Sequence, residues 1–262
     1  GSPRAPRRPG PEDLLFLLGL EGPAERELLY RTANFLRQKH HGNACCVHGI
    51  VEISNVCGSS CRYCGISTGN EGLPRYRMNR GEVLAAVREA VEGHGFKALV
   101  LQSGEDGGRP VSELAALVRE VRRRHAVLVF VSFGEVGAEG LRELYDAGAR
   151  GLLMRFETSN PRLYGEFHPG CRLEDRLAEI RTAYDLGYLI VTGGLIGLPG
   201  QTDEDVLADI LLVRDLRTEM VSMGPFIPHP ATPLAGSPPP DPERVLSALA
   251  LCRLAMPETA KI

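Results

Sequence analysis

Three cysteines pose the first chemical question. Cys57, Cys61 and Cys64 fall within eight residues, in the run Cys57-Gly58-Ser59-Ser60-Cys61-Arg62-Tyr63-Cys64-Gly65. Thiolates are soft ligands, and three on one short loop can converge on one inorganic centre. A structural zinc site takes four ligands, commonly as two paired knuckles. Ordinary electron-transfer iron–sulfur clusters also take four cysteines. No fourth cysteine completes this run: Cys45 and Cys46 precede it, and Cys171 and Cys252 are isolated. Three thiolates leave one iron of a [4Fe–4S] cluster open to a small molecule. Three unrelated core cysteines would not be separated by Gly, Ser and Arg.

Further along stand polar groups of similar promise. Gln102-Ser103-Gly104-Glu105-Asp106 puts a carboxylate beside exposed backbone carbonyls, a setting for an ammonium group or a plain surface turn. Ser132-Phe133-Gly134-Glu135 follows. Arg155 and Glu157 lie two apart, so on an extended strand they point to the same side. Buried charges need a partner or a charged ligand, which leaves open both a salt bridge and a binding role. Arg176 reads as a solvated helix arginine or as a carboxylate clamp. Gly193-Gly194-Leu195-Ile196-Gly197-Leu198-Pro199-Gly200-Gln201-Thr202 allows close backbone approach to a ligand, and Thr202 with Asp205 forms a capping box. Gly224-Pro225-Phe226-Ile227-Pro228-His229-Pro230 is a rigid loop whose histidine is a ligand, a base or an ordinary hydrogen-bonding side chain.

These segments follow a regular grammar. Apolar runs at Gly49–Ile53, Ala98–Leu101, Ala126–Ser132, Gly151–Arg155, Leu189–Thr192 and Met220–Met223 read as strands. Amphipathic stretches at 80–93, 111–124, 137–147, 173–187, 203–216 and 241–255 read as helices, after two N-terminal helices near 12–20 and 24–40. Continuous apolar strands alternating with helices imply a parallel α/β sheet covered on both faces. Six βα units of about 35 residues each suggest a (β/α) barrel or part of one. Neither GxGxxG nor GxxxxGK[ST] follows any strand, which gives no support to a nucleotide-binding open sheet. Each polar segment named above then falls at the C-terminal end of a strand, where such barrels bind substrate. Met256–Ile262 reads as the approach to a seventh strand. Strands seven and eight are thus expected outside these residues, and the natural protein is expected to continue for about 70 residues. The division expected is a flexible arm at 1–10, N-terminal helices at 11–47 and the barrel core at 48–262.

Composition narrows the class. Thirty basic and 33 acidic residues among 262 give a net charge of −3, with no basic footprint for nucleic acid. The Arg122–Arg124 run suits a solvated helix face. Seven cysteines, an odd number with three clustered, point to a reducing compartment and metal ligation, hence a cytoplasmic protein. No apolar run approaches 18 residues, so no membrane span is expected. Arg7 and Arg8 before Leu14–Leu20 imitate a signal peptide, but Glu12, Asp13 and Glu21 flank that stretch, which favours an amphipathic helix.

The cysteine run, with its aromatic Tyr63 before the third cysteine, resembles the radical S-adenosylmethionine (SAM) superfamily. The stretches Ser54–Cys57, Arg75–Met78, Leu99–Asp106, Ser132–Glu135, Arg155–Pro161, Gly197–Thr202 and Gly224–Pro230 resemble its HydE-type branch, the maturases of [FeFe] hydrogenase, near biotin synthase and methylornithine synthase. The resemblance runs from about residue 25 to the end. It implies a [4Fe–4S] cluster on Cys57, Cys61 and Cys64 whose open iron chelates SAM. Reduction would cleave SAM to methionine and a 5′-deoxyadenosyl radical, with flavodoxin or ferredoxin as electron source. Ser103, Glu105, Ser132, Glu157 and Arg176 would hold SAM, with Tyr63, Gln102, Gly104, Glu135, Leu198 and Ile227 around it. Arg155 would face an anionic substrate: an iron-bound cysteine carrying CO and cyanide, supplied by HydG, on a route that also involves HydF. A related mutase or synthase acting on a small amino acid, or a non-catalytic iron–sulfur carrier, are the alternatives. Phe156 stands where that branch suggests histidine, and Cys171 where a polar residue is expected.

Overall fold

The computed structural model describes residues 8–42, 46–258 and 261–262. Cys45 and most of the expected N-terminal arm lie outside the described residues. Two helices open the chain, α1 (Pro11–Leu18) and α2 (Pro23–His41), each started by a proline in its first turn. Then come β1 (Gly49–Ser54), α3 (Arg80–Arg88), β2 (Ala98–Ser103), α4 (Val111–Arg124), β3 (Leu128–Ser132), α5 (Gly137–Asp146) and β4 (Gly151–Leu153). The second half holds α6 (Pro161–Phe167), α7 (Leu173–Leu186), β5 (Leu189–Thr192), β6 (Leu195–Ile196), α8 (Asp203–Asp215), β7 (Met220–Val221), β8 (Gly224–Pro225) and α9 (Pro242–Ala255).

The main sheet is parallel throughout, in the order β1-β2-β3-β4-β5-β7. Neighbours in the sheet follow chain order, as right-handed βα repeats wound in one direction require. This is the α/β fold of the (β/α)-barrel type, with six βα units and a sheet not closed on itself among the described residues. β1 forms one edge. Beside β7, Lys261 makes a parallel bridge to Met220: its carbonyl accepts from the Val221 N–H at 2.7 Å, and its own N–H donates to Glu219 at 2.8 Å. Lys261 thus pairs with the sheet beside β7.

Alternation along the strands sorts side chains to two faces. Leu99 and Leu101 of β2, and Val129 and Val131 of β3, join the large core under the helices. Ala98, Val100, Phe130 and Val191 form a separate cluster on the other face. Two residues further on, that inner face turns polar: Gln102 is in register with Glu52 and Ser132. The inner face therefore runs from apolar at the N-terminal strand ends to polar at the C-terminal ends.

Several boundaries differ from the sequence reading. β3 begins at Leu128, not Ala126, β4 stops at Leu153 and β7 at Val221. The expected helix 80–93 divides into α3 and a π turn at Glu89–Gly93. The short α6 was not expected; Asn160 caps it, its side chain accepting from the N–H groups of Arg162 and Leu163. β6 and β8 form a small parallel sheet of their own just past β5 and β7.

Candidate active site

The loop after β1 carries the cysteine run and folds back on the end of β2. Gly104 permits this closeness: a Cβ there would lie 2.4 Å from Val56 O and 2.5 Å from the Cys57 Cβ. The Gly58 N–H donates to Glu105 O at 2.8 Å, joining the two loops. Gly134, at φ +75°, leaves room for Glu105, whose Cγ would stand 2.0 Å from an added Cβ.

A cavity of about 230 Å³ opens here, at the C-terminal strand ends, with Cys57, Cys61, Tyr63, Glu105, Arg155 and Arg176 among its walls. Gln102, Ser103, Gly104, Ser132 and Glu157 line it too, as does His168. Four of the residues named from sequence stand elsewhere. Cys64 is not part of the lining, but it is close enough to act electrostatically on Cys61, and Glu157 is near enough to act on it. Glu135 lines the neighbouring depression and reaches the site through Arg176. Leu198 is buried with Leu163, Phe167 and Phe226, and Ile227 is 64% exposed.

Arg176, near the start of α7, is clamped between carboxylates: Nη2 lies 2.8 Å from Glu105 Oε1 and Nε 2.9 Å from Glu135 Oε1. It is therefore no solvated helix arginine. Ser59, inside the cysteine run, donates its hydroxyl to the other Glu105 oxygen at 2.7 Å. Burial raises the Glu105 carboxyl, but Ser59 and Arg176 outweigh it and hold the group below its ordinary value. Asp106 is taken by Arg77 at 2.6 Å, so only half of the Glu105-Asp106 pair turns to the cavity.

Arg155 and Glu157 meet at 3.0 Å, Nη2 to Oε2. Their pairing does not come from strand alternation, because β4 has ended by Leu153 and Glu157 sits at φ 65°, in the left-handed region. Gly194 holds the chain there: Leu195 N–H donates to Glu157 O at 2.9 Å, and a Cβ on Gly194 would fall 2.5 Å from that oxygen. Arg155 Nε and Nη2 and Glu157 Oε2 are buried without a well-aligned hydrogen bond. Burial pushes the Glu157 carboxyl up, opposed by Arg155 and Arg176. Buried polar atoms left over in this way suit a polar ligand. Phe156, between them, is fully buried in the core and turns away from the cavity.

The donors fit an iron–sulfur cluster. Among the described residues, no three His, Cys, Asp or Glu side chains converge tightly enough for a single metal ion. A cube differs, since each thiolate takes its own iron and the sulfurs stay apart. Cys57, Cys61 and Cys64 are free thiols. Burial, then Cys64 and Cys57, push the Cys61 thiol up to about 12. Thiols that resist ionising together are a set that a cationic iron centre would ionise. The Ser59 N–H already donates to the Cys57 sulfur at 3.4 Å.

Two groups escaped the sequence reading. Asp209, fully buried on α8, accepts from the Ser159 N–H and from Gln201 Nε2 (3.1 Å), and so joins the loops after β4 and β6. Its signal was faint: an acid on the apolar stripe of a helix. His168 follows α6 and contacts Tyr63; a histidine after a seven-residue helix carries no pattern of its own. His229 accepts from the Ala231 N–H at 3.2 Å and packs on Gly65.

Residues 51–213 match the Radical SAM superfamily. The chain belongs to that superfamily and, within it, to the HydE-type branch. The [FeFe] hydrogenase maturase subunit HydE of Thermotoga maritima is 39% identical over 248 residues, which are 95% of this chain and 71% of that protein. A 3-methylornithine synthase of Methanosarcina acetivorans is 28% identical over 85% of this chain; the chain spans 63% of that protein's length. The crystal structure of methylornithine synthase (PylB) matches with a TM-score of 0.89 at 26% identity, over 95% of this chain and 74% of that one. The maturase HydG from Carboxydothermus hydrogenoformans matches at 0.86 and 20% identity, over 96% and 61%, a likeness of fold. Superfamily membership implies a [4Fe–4S] cluster and SAM. No helix among the described residues is long and apolar enough to cross a membrane.

Proposed function

We propose that this radical SAM enzyme acts in assembly of the two-iron subcluster of [FeFe] hydrogenase, on an iron-bound cysteine carrying CO and cyanide. The observation that carries this reading is Arg155. It stands in the cavity with two donor nitrogens lacking aligned partners, beside the single carboxylate Glu157. A guanidinium paired with one carboxylate but keeping donors to spare suits an anionic, ligand-rich substrate, and the adjacent carboxylate suits a sulfonium cation. The 39% identity to HydE supports the same assignment.

When bound, the cluster on Cys57, Cys61 and Cys64 supplies the electron that cleaves SAM to methionine and a 5′-deoxyadenosyl radical. The chain's own residues bind and orient. Glu105, fixed by Ser59 and Arg176, presents a carboxylate at the mouth of β2 for the SAM ammonium. Gln102, Ser103 and Ser132 offer neutral polar contacts beside it. Arg176, neutralised by Glu105 and Glu135, holds the cavity wall. Arg155 anchors the anionic substrate. HydG-type supply of the substrate, HydF-type receipt of the product and reduction by flavodoxin or ferredoxin in the cytoplasm complete the proposal.

The test is anaerobic cluster reconstitution, reduction, and product analysis with SAM and either the iron–cysteine complex or small amino acids. Consumption of the iron complex with 5′-deoxyadenosyl products supports the reading. Rearrangement of a free amino acid instead would establish the mutase alternative, which the likeness to methylornithine synthase favours. A loaded cluster that never cleaves SAM would leave only a carrier.

A further inference from the structure

The cysteine run is tied at its back by one turn of chain. The Arg62 N–H donates to Phe167 O at 3.0 Å. The Ser60 hydroxyl donates to Pro169 O at 3.4 Å. Between them, the Tyr63 oxygen lies 2.8 Å from His168 Nε2. Three consecutive residues at the end of α6 therefore each hold one residue of the run. His168 is the middle one and only 3% exposed. Its ring stacks on Tyr164 with centroids 4.3 Å apart and planes at 18°. Tyr63 stands edge-on to it at 5.3 Å.

The hydrogen bonds fix the direction of donation. His168 Nδ1 faces Tyr164 O at 3.1 Å, and a carbonyl only accepts, so Nδ1 carries the proton. Burial pushes the imidazole down to about 4, so Nε2 keeps its lone pair. The Tyr63 hydroxyl must then donate to Nε2. This ties the Tyr63 ring, which stands in the cavity wall with Cys57 and Cys61, to the end of α6. Tyr164 extends the support, its hydroxyl accepting from Arg176 Nε at 3.4 Å.

We propose that His168 is a positioning residue for the cysteine run, holding Tyr63 in place and through it the loop that presents Cys61 and Cys64 to the cluster and the ring that borders SAM. The inference rests on superfamily membership and not on the iron–cysteine substrate.

Three variants test it. His168→Phe keeps a ring on Tyr164 and removes the acceptor. His168→Gln restores an acceptor at similar reach. Tyr63→Phe removes the donor. The first readout needs no cofactor: amide hydrogen exchange across residues 58–64 in the unloaded chain. The others are iron and sulfide content after anaerobic reconstitution, the dissociation constant for SAM, and the change SAM makes in the electron paramagnetic resonance of the reduced cluster. His168→Phe is expected to speed exchange across 58–64 and to weaken SAM binding by about three- to tenfold, the worth of one net hydrogen bond. Tyr63→Phe should match it, the double variant should lose no more than either single one, and His168→Gln should recover most of the loss. Unchanged exchange and SAM affinity in His168→Phe would overturn the proposal, as would losses that multiply in the double variant. If His168→Phe does not fold, Tyr63→Phe decides: wild-type exchange and affinity in that variant would sink the idea. Failure of the iron–cysteine substrate would leave all these readouts intact.

Discussion

The sheet holds a cavity at each end, and the two are unlike. At the N-terminal strand ends the space is about 790 Å³, walled by Ala98, Leu128, Phe130, Leu189, Val191 and Met220 with a rim of His48, Lys97 and Lys261. At the C-terminal ends it is about 230 Å³, yet three of the molecule's most constrained charges, Glu105, Glu157 and Arg176, face it. Size does not locate the chemistry. Apolar walls are the inner face of a barrel, where β-branched and aromatic residues fill layers. Buried charges cost free energy to desolvate, so they persist where a ligand or partner offsets that cost.

The largest expected effect separates the thiols of the two ends. Cys57→Ser, Cys61→Ser and Cys64→Ser should each abolish cluster loading, since three thiolates are the fewest that hold the cube with one iron open. Cys46→Ser, at the wide cavity, and Cys252→Ala, buried in the core, should load fully. Iron, sulfide and visible absorption measure both sets. Four irons per chain with SAM cleavage in Cys61→Ser would remove the basis for placing the chemistry at the C-terminal ends.

Next in size is the pair after β4. Arg155→Leu strands Glu157, and Glu157→Gln strands Arg155. Removing one partner from a buried pair costs about 3–5 kcal/mol, and the 26% exposure of the Arg155 side chain argues for the lower end. Beyond this shared loss, Glu157→Gln should weaken SAM binding, while Arg155→Leu should reduce substrate turnover more than SAM cleavage alone. Folding is checked by denaturant titration first. Equal loss of both activities in folded Arg155→Leu would break the division of roles.

What the sequence disclosed, and what it hid, follows the same line. Strands and long helices were legible because burial on both sheet faces writes continuous apolar runs, and helices of ten residues or more show their period. The cysteine run was legible because its chemistry is local. Arg155 and Glu157 were rightly paired for a reason that does not hold: the left-handed backbone at Glu157, allowed by Gly194, has no sequence signature at a glutamate. α6 is too short for a period to register. Arg176 was ambiguous because its partners, Glu105 and Glu135, lie 71 and 41 positions away. Asp209 and His168 matter through contacts with distant loops, which spacing along the chain does not reveal.

Asp209 gives a test by pH. Burial holds its carboxyl up at about 7, against an ordinary value of about 3.9. The folded chain therefore keeps a proton that the unfolded chain releases. This contribution to stability is fully present below about pH 4 and is lost as pH rises through about 7. Asp209→Asn should flatten that decline, which a single proton limits to about 1.4 kcal/mol per pH unit. The amide still accepts from Ser159, but its NH₂ faces Gln201 Nε2, which is already committed to Leu195 O. A loss of about 1 kcal/mol at every pH is expected beside the change of slope. Urea midpoints from pH 4 to 8 measure both; an unchanged slope would show that the carboxylate is ionised throughout.

The smallest expected effect belongs to the apolar end. An added Cβ at Gly151 would stand 1.8 Å from the Phe130 ring, which is 4% exposed and packed with Ala98, Val100 and Val191. His48 stands against it, its ring centroid 4.9 Å from that of Phe130. The ring borders the wide cavity and can yield toward it, so the overpacking cost falls at the lower end of about 1–3 kcal/mol. Gly151→Ala should therefore lower the midpoint of thermal unfolding by about 2–4 °C for each kcal/mol. Gly151 opens β4, whose far end leads to Arg155, so this variant asks whether strain at one end of a strand reaches the other. The two ends are held by different contacts: Phe130 on one side, Gly194 and Asp209 on the other. SAM affinity and cluster content should stay at wild-type values while stability falls. A parallel drop in SAM affinity would show that the sheet transmits the strain along β4, and that the apolar end is part of the machinery after all.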